Sequence, residues 1–163
     1  MESRTKILGH PVHPMLIVLP LGLFIGGVVS DAVFLVWGIP SLASVGHWNI
    51  AGGIAGGFLA AIAGALDWMA IPAGTRAKRV GIYHAASNVT AILMFAGVFW
   101  MRFNNVDLAP TTGLFAVEVV ALAFGSVGGW LGGELVDRLG VGVDNGANLD
   151  APNSITGKDS RAA

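Results

Sequence analysis

The 163-residue chain has no cysteine, which by itself removes disulfides, thiolate metal sites, cysteine-ligated iron–sulfur clusters and the covalent attachment of c-type haem. Any metal or haem must then be held by histidine or oxygen ligands. Charge is scarce too: 12% of residues are Asp, Glu, Lys or Arg against 54% hydrophobic, and the mean hydropathy is +0.70. Water-soluble domains of this length seldom reach such values. A formal net charge of -1 without a dominant basic stripe gives no footprint for a nucleic-acid partner. Residues 1–9 lack the apolar core and small-residue cleavage site of a secretory signal, so the N-terminus is expected to be retained.

What the chain does have is four long apolar runs, each near the roughly 20 residues that a ~30 Å hydrocarbon core requires. They predict an all-α polytopic membrane protein, a four-transmembrane-helix bundle over residues 1–139. Its spans lie at about 14–37, 47–71, 80–101 and 114–137. Pro14 suits the first turn of a helix, placing His13 at or near the N-cap, and Pro20 should kink the first span. A turn is expected at Gly38-Ile39-Pro40. Residues 140–163, rich in Gly, Asn, Asp and Ser, read as a disordered polar tail.

Eight of the nine lysines and arginines fall on the side of the termini, with only Arg102 opposite. The positive-inside rule then predicts that both termini of this multi-pass protein are cytoplasmic. Small residues recur every four positions at Gly52, Gly56, Ala60 and Gly64, at Gly125, Gly129 and Gly133, and at Gly22 and Gly26. Such ladders let backbones approach closely in lipid, and predict that the second and fourth spans pack together or that a homo-oligomer forms.

Depth points to a site. Asp67, His84 and Glu134 each lie about four residues inside the basic edge, or ~6 Å at 1.5 Å per residue, and His13 caps the first span at the same edge. His84 and Asn88, at i and i+4, share a helix face. Three readings fit this layer: a hydrogen-bonded polar cluster that sets helix register, a haem ligated by His13 or His10 opposite His84, or a divalent metal with mixed His and carboxylate ligands. The Glu-x-x-His signature of di-iron bundles is missing, which lowers the third. His47, beside Trp48 at the opposite edge, reads as a headgroup-level residue. Asp31 and Glu118 fall near that outer edge as well. Asp31 is expected to pair with His47 or with a polar group of another span, and Glu118 to join them.

Gly9-His10-Pro11-Val12-His13-Pro14-Met15-Leu16, with Leu19-Pro20-Leu21-Gly22 and Asp31 after it, resembles the opening signature of the bacterial membrane-protein family called domain of unknown function 2231. Gly64-Ala65-Leu66-Asp67, His84-Ala85-Ala86-Ser87-Asn88 and Gly132-Gly133-Glu134-Leu135-Val136 through Gly140-Val141-Gly142-Val143 resemble its later blocks. One departure is Asp137-Arg138-Leu139, where an aromatic residue would follow the valine. The resemblance covers roughly residues 9–143 and implies a four-helix inner-membrane domain. Relatives of the family joined to Rieske-type or cytochrome-like modules imply redox work, an associational argument. Carried over by motif, the positions are His10, His13, Asp67, His84 and Glu134, the set that depth selects.

The leading expectation is therefore a redox or electron-transfer subunit that holds b-type haem, or another metal, near the cytoplasmic edge. His13 or His10 and His84 would be ligands, with Asn88 beside His84 and with Asp67 and Glu134 as acceptors that orient the imidazoles. Its partners would be the lipid bilayer and a redox protein or quinone. The alternative is a small transporter, proton relay or scaffold whose His/Asp/Glu layer holds no cofactor.

Overall fold

A computed structural model describes residues 1–156 and Lys158. The chain opens with a two-stranded hairpin, β1 (Lys6–Ile7) and β2 (His10–Pro11), paired antiparallel with Lys6 opposite Pro11. Leu8 and Gly9 both take positive φ in its two-residue turn, the backbone a tight hairpin requires. Thr5 O then accepts from Val12 N at 2.8 Å, so the hairpin leads straight into helix.

The first span is broken as its proline predicts. Helix α1 (Val12–Leu16) is followed by α2 (Val18–Trp37), with the break at Ile17. Pro20 has no N–H to give Leu16 and its ring crowds that carbonyl, so the break falls one turn before the proline. Pro14 occupies the first turn of α1, as expected, and His13 sits just inside the N-cap residue Pro11. Gly38, at φ 66°, closes α2 on the Phe34 carbonyl, a glycine-type C-cap.

Helix α3 (Pro40–Ala70) starts seven residues before the expected His47, because Pro40 takes the N1 position where its missing N–H is no loss. The turn is therefore shorter than the sequence reading allows. Helix α4 (Arg76–Arg102) is capped by the Thr75 hydroxyl, which accepts from Lys78 N, and α5 (Thr112–Gly133) by Thr111, which accepts from Leu114 N. One wide π turn, Glu134–Arg138, ends the fourth span. Four helices are long and apolar enough to cross a membrane, and their backbone polar groups are paired within each helix as lipid demands.

Packing corrects one expectation. The glycine ladder of α3 faces the first span rather than the fourth: a Cβ on Gly52 would lie 3.0 Å from Leu23 and one on Gly56 3.0 Å from Leu19, while beside the ladder one on Gly53 would lie 2.6 Å from the Phe24 ring. On α5, Gly128 faces Asn88 and Gly132 faces His84, both on α4. The bundle is thus two close hairpins, α2 with α3 and α4 with α5, joined through α3–α4 and α2–α5 contacts. Between them Phe24 stacks on Phe95, centroids 4.0 Å apart and planes 4° from parallel, amid Val28, Ile50, Val98, Leu114 and Ala121. The α3 ladder does serve close approach, with its bulky partner strip on the adjacent helix; the α5 ladder does not, since nothing lies within 4 Å of a Cβ on Gly129 or Gly133 and only Ala91 Cβ, at 4.0 Å, near one on Gly125.

Within the expected tail, Gly142 N donates to Met1 O at 2.8 Å, the Met1 ammonium donates to Gly140 O at 2.6 Å, and Lys6 pairs with Asp144. These contacts lay residues 140–145 against the N-terminal segment. Asp144, with Glu2 adding to it, holds the Lys6 amine above its ordinary range, and Lys6 holds the Glu2 carboxyl below the usual carboxylate range. The rest of that expectation extends over Gly157 and residues 159–163, outside the described residues.

Candidate functional site

The two histidines singled out by depth meet. His13, on α1, and His84, on α4, have ring centroids 6.0 Å apart and planes at 81°. Each is oriented by a backbone carbonyl one helix away: His13 Nδ1 bonds Ala60 O and His84 Nδ1 bonds Gly128 O, both at 2.8 Å. A neutral imidazole bonded in this way donates from Nδ1 and keeps Nε2 as its lone-pair nitrogen. Asn88 supports the pair from one turn along α4. Its Nδ2 donates to His84 O at 2.9 Å and stands 3.4–3.5 Å from the two ring nitrogens of His84.

Glycine makes both bonds possible. A Cβ on Gly64 would lie 2.9 Å from the His13 ring, one on Gly132 3.2 Å from the His84 ring, and one on Gly128 2.5 Å from the Asn88 amide. Small residues are used here to seat side chains as well as to bring helices together.

The other expected members of the layer have different partners. Asp67 binds the N-terminal segment, accepting from Ser3 Oγ at 2.8 Å, from Arg4 N at 2.8 Å and from Thr5 N at 3.3 Å. Glu134 accepts from Arg76 Nη2 at 2.6 Å. His10 is exposed on the hairpin, where its Nε2 lies 3.3 Å from Ser154 Oγ. The task of orienting the imidazoles, expected of Asp67 and Glu134, falls to the carbonyls of Ala60 and Gly128. Among the described residues no three His, Asp or Glu side chains gather within metal-binding reach.

A second polar layer, at the opposite end of the bundle, went largely unread in the sequence. Arg102, counted there as a loop charge, is completely buried at the end of α4. It donates through Nη1 to Asp31 Oδ2 at 2.6 Å and through Nη2 to Asp31 Oδ1 at 3.0 Å, a bidentate pair between α2 and α4. Nη2 also donates to Ala43 O and Nε to Leu108 O, both at 2.7 Å. Glu118 Oε1, from α5, lies 3.5 Å from Nη1. Glu118 joins the outer group as expected, and of the two partners expected for Asp31 it is a polar group of another span, Arg102, that pairs with it rather than His47.

His47 corrects the reading made of it. It is fully buried, stacked on Phe99 at 4.4 Å and edge-on to Phe103 and Trp48. The aromatic neighbour that suggested a headgroup-level residue is part of the wall that encloses the imidazole. The missed signal was Arg102 itself, a base in the last turn of an apolar span at the depth of two acids on other spans.

No curated protein and no solved structure matches the chain at a significant level. A family model described as predicted membrane protein (DUF2231) matches residues 9–145, a stretch that holds all four spans and both polar layers. The chain belongs to that family of predicted membrane proteins.

Proposed function

We propose that this protein is a redox subunit of the bacterial inner membrane in which His13 and His84 hold b-type haem through their Nε2 atoms, its termini on the cytoplasmic side. The observation that carries the reading is the pair itself: two imidazoles from different helices, each fixed through Nδ1 by a backbone carbonyl, with centroids 6.0 Å apart. At a metal–nitrogen distance of about 2.0 Å, imidazoles opposed across one metal have centroids about 6 Å apart. Two imidazoles with no gathered third His, Asp or Glu suit haem, whose macrocycle supplies the other four nitrogens, better than an all-protein divalent site.

When bound, haem would supply one-electron chemistry. The protein's contribution is to orient the imidazoles through Ala60 O and Gly128 O, which raises their basicity as ligands and so tunes the potential. The basic residues support the orientation: with Arg102 buried, the lysines and arginines outside the apolar core, among the described residues, gather at the end of the termini. A quinone or a small redox protein is the partner class that an electron carrier at this depth would serve.

The test is an oxidised-minus-reduced absorption spectrum of the full chain, purified in detergent after expression with haem precursor, together with elemental analysis. Sharp Soret and alpha bands should appear and be lost in His84→Ala and in His13→Ala while the helical circular dichroism is kept. A colourless protein free of stoichiometric iron would overturn the proposal. One with stoichiometric zinc or copper would replace haem by another metal at the same pair.

A further inference from the structure

The outer layer carries an inference of its own, independent of the histidine pair. Asp31, Arg102, Glu118 and His47 are all 0% exposed, and within this layer charge and hydrogen bonding do not balance. The guanidinium places four of its five N–H donors on the two Asp31 oxygens and on two carbonyls. Glu118 is left at 3.5 Å from Nη1, and neither of its oxygens has a hydrogen-bond partner. One guanidinium against two carboxylates leaves one negative charge in excess where an uncompensated ion is expensive. One proton removes that excess.

We infer that Glu118 is a reversible proton-binding site inside the membrane, beside a fixed Asp31–Arg102 pair that is neutral as a whole. Taking up H⁺ converts Glu118 from carboxylate to carboxylic acid and the layer from one net negative charge to none; release returns the proton to water. The charged groups beside Glu118 are Arg102 from α4, at 3.5 Å, and the Asp31 that Arg102 holds from α2; His47 of α3, buried in the same layer and stacked on Phe99, also has two ring nitrogens without partners. The α4–α5 loop lies against this layer, tied to it through Arg102. Asp107 and Leu108 there hold consecutive positive φ values of 54° and 57°, a strained backbone for non-glycine residues, and Leu108 O is tethered by Arg102 Nε. Asp107 is exposed in that loop.

The experiment is infrared difference spectroscopy on the full chain in lipid vesicles, stepped between about pH 5 and pH 9, in H2O and D2O. A protonated-carboxyl carbonyl band should appear as pH falls, shift in D2O and be lost completely in Glu118→Gln. Labelling the three glutamates (Glu2, Glu118 and Glu134) with ¹³C in the unsubstituted chain should shift the same band, which keeps the test intact if Glu118→Gln folds poorly. A band constant across the whole range would make Glu118 a permanently neutral structural acid, and a band that survives the substitution or ignores the label would place the proton elsewhere. A band displaced by sodium at fixed pH would make the layer a metal-cation site. Each of these three outcomes overturns the inference.

Discussion

Arg102 shows how much one side chain can be asked to hold in lipid. It ties Asp31 of the first span, the start of α3 through Ala43 O and the α4–α5 loop through Leu108 O, and it stands beside Glu118 of α5. Gly46 is what lets the Asp31 carboxylate come so near α3, since a Cβ there would run into it. Removing one partner of a buried pair leaves the other charged and unpaired, at a cost of about 3–5 kcal/mol. Arg102→Met should therefore destabilise the bundle by that order in detergent unfolding. Arg102→Lys should lose less but still be impaired, because an ammonium cannot reproduce the bidentate fork. Combining Arg102→Met with Asp31→Asn should recover part of the loss. An Arg102→Met protein as stable as the parent would mean that the ion pair contributes nothing net.

At the scale of the helix, the glycines divide into those that face a neighbour and those that face open space, and adjacent positions on α5 separate the two. A Cβ on Gly128 would meet the Asn88 side chain at 2.5–2.7 Å, whereas nothing lies within 4 Å of one on Gly129. Gly128→Ala should force Asn88 off His84 O and destabilise by about 1–3 kcal/mol, the usual cost of overpacking. Gly129→Ala should be neutral to within about 0.5 kcal/mol, as substitutions away from contacts are. Unfolding of both variants in the same detergent decides it; equal losses would mean that the α4–α5 seam is not where the glycines place it. The ladders show in the sequence because a four-residue period is a property of one helix. Their partners do not, because which helix presents Leu19, Leu23 and Phe24 to them is settled only when the bundle closes. The same division holds for the sites. Depth along each span brought His13 and His84 to one layer, but rotation about each helix axis sends Asp67 to Ser3 and Glu134 to Arg76 instead. Arg102 escaped notice because counting bases for topology assigns a residue at the end of a span to the loop.

For the molecule as a whole, four spans follow from four apolar runs, since a helix is the only lipid-stable answer for each. The antiparallel alternation of two hairpins puts residues 71–75 and the termini at one end and residues 103–111 at the other. That arrangement sets the two polar layers apart, the histidine pair toward the first end and the Arg102 group toward the second. The electron site proposed on one side and the proton site inferred on the other would make the sides matter, so topology is the property of the whole chain that most constrains function. The absence of cysteine makes it directly measurable. Ala73 and Asn104 are exposed and lie in opposite end loops. In intact cells, Asn104→Cys should react with a membrane-impermeant maleimide, and Ala73→Cys only after the membrane is opened, with the cysteine-free parent as a clean background. The reverse pattern would turn the protein over and put the histidine pair on the outer face. Labelling of both from one side would break the four-span bundle itself, because residues 73 and 104 are separated by a single 27-residue helix, which at 1.5 Å per residue is long enough to cross the bilayer core once and cannot cross it twice.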